Sequence, residues 1–169
     1  MNNINLQKAL QRIDVSADWV GLREVKETST YRIIRDGNPE SNSINLDHGI
    51  MVEVLVDGQF GYYGTHKLDY DSILNAAKKA CDVAKNASRY SIHPYTDSVR
   101  PKAVGKYDSP YQIKNYDLGQ LTELLLKSNR SLKSSDKIVT ATSMARIVDM
   151  NMNYVCSNGS DLEQNFLYI

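Results

Sequence analysis

Met51-Val-Glu-Val-Leu-Val-Asp-Gly-Gln-Phe-Gly-Tyr-Tyr63 is the most legible stretch of this chain. Val52, Val54 and Val56 recur at every second position, the period of a strand with one buried face. Asp57-Gly58 supplies the two positive-φ positions of a type I′ turn, and Phe60 and Tyr62 resume the alternation. The stretch predicts a β-hairpin.

Outward from the hairpin, the period changes. Asp69 is placed to cap a helix over 70–88, with Ile73, Ala77, Ala80, Ala84 and Ala87 on one face. Small residues on that face permit close approach to a sheet. Cys81 beside the stripe reads as a small core residue. Upstream, 18–34 carries Trp19, Val20, Leu22, Val25, Tyr31, Ile33 and Ile34 among Thr and charged residues, as half-buried strands do. Asp36-Gly37-Asn38-Pro39 breaks this run as a turn. A further extended segment, 41–47, is expected to end in a turn at Asp47-His48-Gly49. Leu6, Ala9, Leu10 and Ile13 predict a short amphipathic helix before the strands.

Downstream, 90–116 is a long connection with three prolines, five tyrosines and no helical period. Connections of that length inside a compact domain are generally functional, interfacial or mobile. Asp117-x-x-Gln120 opens a second amphipathic helix through Leu118, Leu121, Leu124, Leu125 and Leu132. The end is β-rich: 137–148, a turn at Asn151 to Asn153, a strand at 154–157, and a hairpin signal at Asn158-Gly159. Phe166-Leu-Tyr-Ile169 closes the chain on an apolar run, so the native protein is expected to continue past residue 169. Strand runs separated by helices predict an α+β fold, an antiparallel hairpin-linked sheet with amphipathic helices packed on it. At 169 residues, a single domain over 1–169 is expected.

Lys and Arg number 20, as do Asp and Glu, so the formal net charge is zero. That balance withholds the basic excess that nucleic-acid binding requires and disfavours nucleic acid as a partner. No apolar run is long enough to span a bilayer, and 1–14 lacks the apolar core of a signal peptide. With only Cys81 and Cys156 and no CxxC, a reducing, cytoplasmic location is expected, with no membrane partner.

Catalytic chemistry finds no footing in the sequence. Gly58-x-x-Gly61-x-x-Gly64 has the wrong spacing for a phosphate loop and follows a hairpin turn. His48, His66 and His93 fall on three segments without a metal-ligand pair. Neither cysteine has a basic neighbour, and there is no G-x-S-x-G elbow. Asp69 and Asp71 are explained by a helix start. No catalytic, cofactor-binding or metal residue is assigned, and no cofactor is expected in this chain. The long connection alone offers binding chemistry: Arg89, Arg100, Lys102, Lys106 and Lys114 stand against Asp97 and Asp108, interleaved with tyrosines. Tyr95, Arg100, Lys102, Tyr107 and Tyr111 are the candidate partner or peptide contacts. Cations among aromatics can stack bases and neutralise phosphates, but packing against a second domain or subunit is the favoured reading.

Together these segments resemble the TldD/PmbA (TldE) family, described as modulators of DNA gyrase and as zinc-dependent peptidases. Ala17-Asp18-Trp19-Val20-Gly21-Leu22-Arg23 resembles the family's first strand, followed by Asp36-Gly37 and Glu40-Ser41. Residues 47–62 match its D-x-G-x-x-V-x-V-x-x-D-G-x-x-G-[FY] hairpin, and Thr65 precedes the Ala-rich helix at Ala76 to Ala87. Ser157-Asn158-Gly159 resembles its N-S-x-G turn with the order altered. The resemblance implies an amino-terminal domain, followed by a catalytic domain in the same chain. It further implies a homo- or hetero-dimer with a TldD/PmbA-type subunit and a peptide substrate. In the TldD branch an H-E-x-x-x-H helix and a later cysteine hold zinc downstream, so zinc is expected in the full-length protein of that branch. The PmbA branch lacks the motif and pairs with a TldD partner. None of those ligands occurs here, and this chain alone is expected to be inactive. The alternative is a stand-alone binding module using the Tyr-rich basic connection.

Overall fold

The computed structural model describes residues 4–110 and 117–169. The elements are α1 (Leu6–Gln11), β1 (Trp19–Arg35), β2 (Asn38–Val56), β3 (Gln59–Thr65), α2 (Tyr70–Ser88), a 3-10 turn (Asp97–Val99), β4 (Val104–Asp108), α3 (Leu118–Leu132), β5 (Thr142–Cys156) and β6 (Asp161–Tyr168). Among the described residues the strands form one sheet in the order β3-β2-β1-β5-β6-β4. The fold is α+β, as the sequence predicts.

The hairpin at β2–β3 is antiparallel, with Val54 opposite Gly61 and Val56 opposite Gln59. Asp57 and Gly58 have φ of 51° and 74°, the type I′ signature. Asp36 and Gly37, at 50° and 80°, make a second tight turn between β1 and β2. β1 and β5 are also antiparallel: Ser157 N donates to Val20 O at 2.8 Å, and Asp36 N to Ala141 O at 2.9 Å.

β4 departs from the expected all-antiparallel sheet. Asp161 N donates to Ala103 O at 3.0 Å and Ser109 N to Asn165 O at 2.9 Å, so residue numbers rise together and β4 runs parallel to β6. The physical reason is its connection: β4 arrives through a long crossover instead of a hairpin, which frees its direction. Two expected turns are also strand. β2 runs through Asp47-His48-Gly49 without a break. Gly49 there serves close strand approach, since a Cβ on it would lie 3.0 Å from Thr65 O. Asn151 and Asn153 lie inside β5; the Asn153 amide reaches Glu24 and Asn151 side chains, so it is not bonding its own backbone as a turn asparagine does.

The chain divides into two compact units, Met1–Lys26, Asp47–Tyr107 and Asn151–Gln164 in the first, Glu27–Leu46, Asp108–Met150 and Asn165–Ile169 in the second. In the first unit, α2 lays Ile73, Ala76, Ala77, Ala80, Cys81 and Ala84 over Ile50, Val52, Val54 and Val56. Alanines bring the helix backbone so close that a Cβ at Gly61 would sit 2.0 Å from Ala80 O. Asp69 caps this helix by accepting from Ser72 N at 2.7 Å. Burial pushes the Cys81 thiol up, as befits a core residue.

The second unit centres on Asn129 of α3, which is 1% exposed. Its Oδ1 accepts from Gly37 N at 2.8 Å, and its Nδ2 donates to Ile34 O and Ala141 O at 3.2 and 3.0 Å. One buried amide thus satisfies the backbone of the β1–β2 turn and of the approach to β5. Asp36 adds a bond from Ala141 N and an ion pair with Lys133, at 2.9 Å each. The bond from Ala141 N and then the contact with Lys133 hold the Asp36 carboxyl below the usual range. No helix of the described residues is long and apolar enough to cross a membrane.

Candidate functional site

Alternation along β2 that places Val52 and Val54 under α2 turns Glu53 and Leu55 to the opposite face. Their partners on β3 are Tyr62 and Phe60. Trp19, Leu55 and Cys156 are buried together there, with Phe60 and Tyr154 packed against them. Trp19 meets the Phe60 ring edge-on at 6.0 Å.

Residues 91–103 lie over this face as a strap. Tyr95 N donates to Gly58 O at 2.8 Å, and the Gln59 amide donates to His93 O at 3.2 Å. The Tyr95 and Phe60 rings are 5.8 Å apart. Gly58 accepts Pro94 above it, where a Cβ would fall 2.6 Å from the proline Cβ. Arg100 then drops its guanidinium onto Glu53 Oε1 through Nε (3.2 Å) and Nη2, and stacks 4.8 Å over the Phe60 ring. The Tyr62 hydroxyl donates to the same carboxylate oxygen at 2.9 Å. A nearly buried carboxylate is thereby matched by one cation and one neutral donor.

The strap is fastened at its far end by the β5–β6 turn. Asn158 Nδ2 donates to Arg100 O at 2.7 Å, and Ala103 N donates to Ser160 Oγ at 3.0 Å. Asn158 Oδ1 accepts from Ser160 N, Ser160 Oγ and the Cys156 thiol at 3.0, 2.8 and 2.7 Å. Between strap and sheet lies a cleft of about 360 Å³, lined by Arg23, Glu53, Tyr62, Arg100, Tyr154 and Leu162, among others.

Its electrostatics are set by burial and by the Glu53 carboxylate. Burial, then the bond to Glu53, raises the Tyr62 phenol. Burial, then neighbouring Cys156, raises Tyr154 far above the ordinary tyrosine range. The bond to Glu53 raises Arg100. Both phenols are therefore hydroxyl donors at neutral pH, and Arg100 is a fixed cation. The Cys156 thiol spends its hydrogen on Asn158.

A second cleft in the same unit, about 310 Å³, is lined by Glu24, Lys26, His48 and Asn153. His48 Nε2 is 2.9 Å from Glu24 Oε1, and Asn153 donates to Glu24 Oε2 at 3.3 Å. This pair joins residues far apart in sequence and is invisible without the strand register. Among the described residues no group of three His, Cys, Asp or Glu side chains is disposed to hold a metal.

Of the five candidate contacts in the long connection, Tyr95 and Arg100 meet at Phe60 on the strap. Lys102 follows, its ammonium 3.1 Å from where a Cβ on Gly159 would be. Tyr107 stands on β4, 46% exposed. Tyr111 lies outside the described residues. Glu53, Phe60 and Tyr62 belong to the same site and escaped sequence reasoning; the signal was a charged residue on the inner strand of a strongly apolar hairpin.

Residues 20–84 match the family described as PmbA/TldA metallopeptidase domain 1. Three solved structures share the fold. One is described as a candidate modulator of a DNA gyrase from Thermotoga maritima, with 12% identity and a TM-score of 0.61 over 96% of this chain. The next, of like description, is from Bacteroides thetaiotaomicron, at 16% and 0.59 over 95%. The third is TldE from Thermococcus kodakarensis, at 12% and 0.62 over 95%. This chain spans only 38%, 38% and 36% of their respective lengths. No curated protein matches it. The hairpin, its partner strand and most of the alanine-lined helix thus lie within the segment, residues 20–84, that is similar to this first-domain model.

Proposed function

We propose that this chain is the non-catalytic amino-terminal module of a TldD/PmbA-type metallopeptidase engaged in peptide processing in the cytoplasm. It contributes subunit contacts and walls of a substrate chamber. The observation that carries this reading is the first-domain match over 20–84 within a chain spanning under two fifths of its structural relatives. The described residues of this chain do not fit a zinc ion, since no three ligand side chains converge. In this reading the metal, where the branch uses one, belongs to the downstream domain or to a TldD-type partner subunit, and no reaction step is routed through this chain. What its first unit supplies is a sheet face covered by α2 and, on the other side, one strapped by 91–103.

Reading the native gene past codon 169, then purifying its whole product, tests the proposal. An open frame continuing into a second domain is expected, and the product should assemble with a TldD/PmbA-type subunit and degrade unfolded peptides. Removing 1–169 should abolish assembly. A stop codon directly after Ile169, with a monomeric product that ignores such a subunit, would overturn the reading in favour of a stand-alone binding module.

A further inference from the structure

Arg23 stands on β1 two residues beyond Gly21. The missing side chain at Gly21 makes room beside it: a Cβ there would lie 2.5 Å from the Trp19 ring and 3.1 Å from the Tyr154 hydroxyl. Alternation carries Trp19, Gly21 and Arg23 to the strapped face, where Arg23 lines the 360 Å³ cleft. The other charges there are committed, Arg100 to Glu53 and Glu53 to both Arg100 and Tyr62. Among the described residues no carboxylate pairs with Arg23. A guanidinium at the wall of a partly desolvated cleft, beside a protonated tyrosine and without a counter-ion, is electrostatically incomplete. On the same face the buried Trp19 Nε1 finds no acceptor among the described residues.

We propose that this cleft binds the carboxylate of a small organic acid bearing an apolar body, with Arg23 as its counter-ion. The charge count selects the ligand. Arg23 and Arg100 against Glu53 leave one positive charge, which a monoanion balances; the second charge of a phosphate would face Glu53. Tyr62, Tyr154 and Leu162 provide wall for the apolar body, and the volume lies at the small end of ligand sites. A carboxylate fits the guanidinium fork through two parallel charge-assisted bonds. The acid can be a free small molecule or the end of a peptide chain, and the two share this chemistry.

Titration of the isotope-labelled 169-residue chain with N-acetyl-leucine, its amide, acetyl-Ala-Ala-Leu and inorganic phosphate tests the assignment by amide chemical shifts. The free acids should move the resonances of Gly21, Tyr154 and Leu162, with the amide at least tenfold weaker and phosphate weaker than the acids. Arg23→Gln should weaken the acids at least tenfold, and Arg23→Lys should restore part of the loss. Stronger binding of the tripeptide assigns the site to a chain end, and equal binding to a free acid. The proposal fails if acid and amide bind alike, if phosphate binds tighter, if the shifts fall elsewhere, or if no probe binds at millimolar concentration. It also fails if a folded Arg23→Gln binds undiminished. The readout needs no zinc domain, so its outcome is separate from that of the peptidase reading.

Discussion

On one face of β2, Val52, Val54 and Val56 lie against the alanine stripe of α2; on the other, Glu53 and Leu55 lie among Trp19, Phe60, Tyr62 and Arg100. The first face is local. Its hairpin and helix are consecutive in the chain, its contacts are apolar, and residues 20–84, the family-matched segment, contain most of it. The second is assembled from pieces around positions 19, 53, 100, 154 and 160, and its strap and β5–β6 turn lie outside that segment. A face built of packed alanine and valine stabilises the sheet. A face holding charges, hydroxyls and a cleft gives up part of its apolar packing to keep them. Substitutions on the two faces should therefore fail in different ways.

The largest effect is expected at Gly61, on the apolar face. Any Cβ there meets the backbone carbonyl of Ala80 at 2.0 Å and Ala84 N at 2.8 Å. Neither atom belongs to a flexible side chain, so the helix itself must lift. Gly61→Val should cost on the order of 4 kcal/mol, read as a drop in the urea midpoint. A loss under about 1 kcal/mol would show that α2 rides loosely on the sheet. Next comes Ile73→Ala. Ile73 is 0% exposed, and truncation leaves a cavity in a rigid setting, at a cost of about 3 kcal/mol. Neither substitution should alter ligand binding at the strapped cleft, if the faces are separable.

The same division explains what the sequence discloses. The period of Val52 to Val56, the Asp57-Gly58 turn and the Ala80/Ala84 stripe are short-range signals, each decided by chemistry within a few residues. Both the hairpin and α2 follow from them. The strap could not be read that way. Pro94 to Ala103 has no period because its conformation is set by Gly58, Glu53 and Ser160, residues distant in sequence. Tyr95 and Arg100 were legible as unusual residues, but not their partners. In the sequence, Glu53 reads as the polar half of an alternating strand, and Arg23 as one more charged residue in a β segment. His48-Gly49 misled because glycine marks both turns and close strand approach, and only the presence of β3 decides between them.

On the strapped face, Glu53→Gln sharpens the comparison. It removes the counter-charge of Arg100, whose side chain is 39% exposed. Solvent screening moderates the loss, to about 1–2 kcal/mol. Arg100→Gln in the same background should cost less than it does alone, the coupling expected of a shared ion pair. Additive losses would mean that the strap is held by its bonds to Gly58, Gln59, Asn158 and Ser160 and not by this ion pair. Unlike Gly61→Val, this pair should disturb the cleft more than the fold, and small-acid binding at Arg23 should change with it.

The smallest effect belongs to the cap of the helix that covers the apolar face. The bond from Ser72 N, then that from the Ser72 hydroxyl, holds the Asp69 carboxyl below its ordinary range. A carboxyl lowered in the folded state adds stability above its unfolded pKa, and that stability disappears as pH falls through the lowered value. Asn at this position keeps an oxygen to accept from Ser72 N but cannot titrate. Asp69→Asn should therefore leave the urea midpoint nearly unchanged in acid and lower it modestly at neutral pH, flattening the stability curve below about pH 4. Asp36, lowered in the same direction by Ala141 N and Lys133, remains in the variant and preserves part of the slope. An acid limb identical to that of the parent chain would remove Asp69 from the account and leave the slope to Asp36 and the other carboxyls.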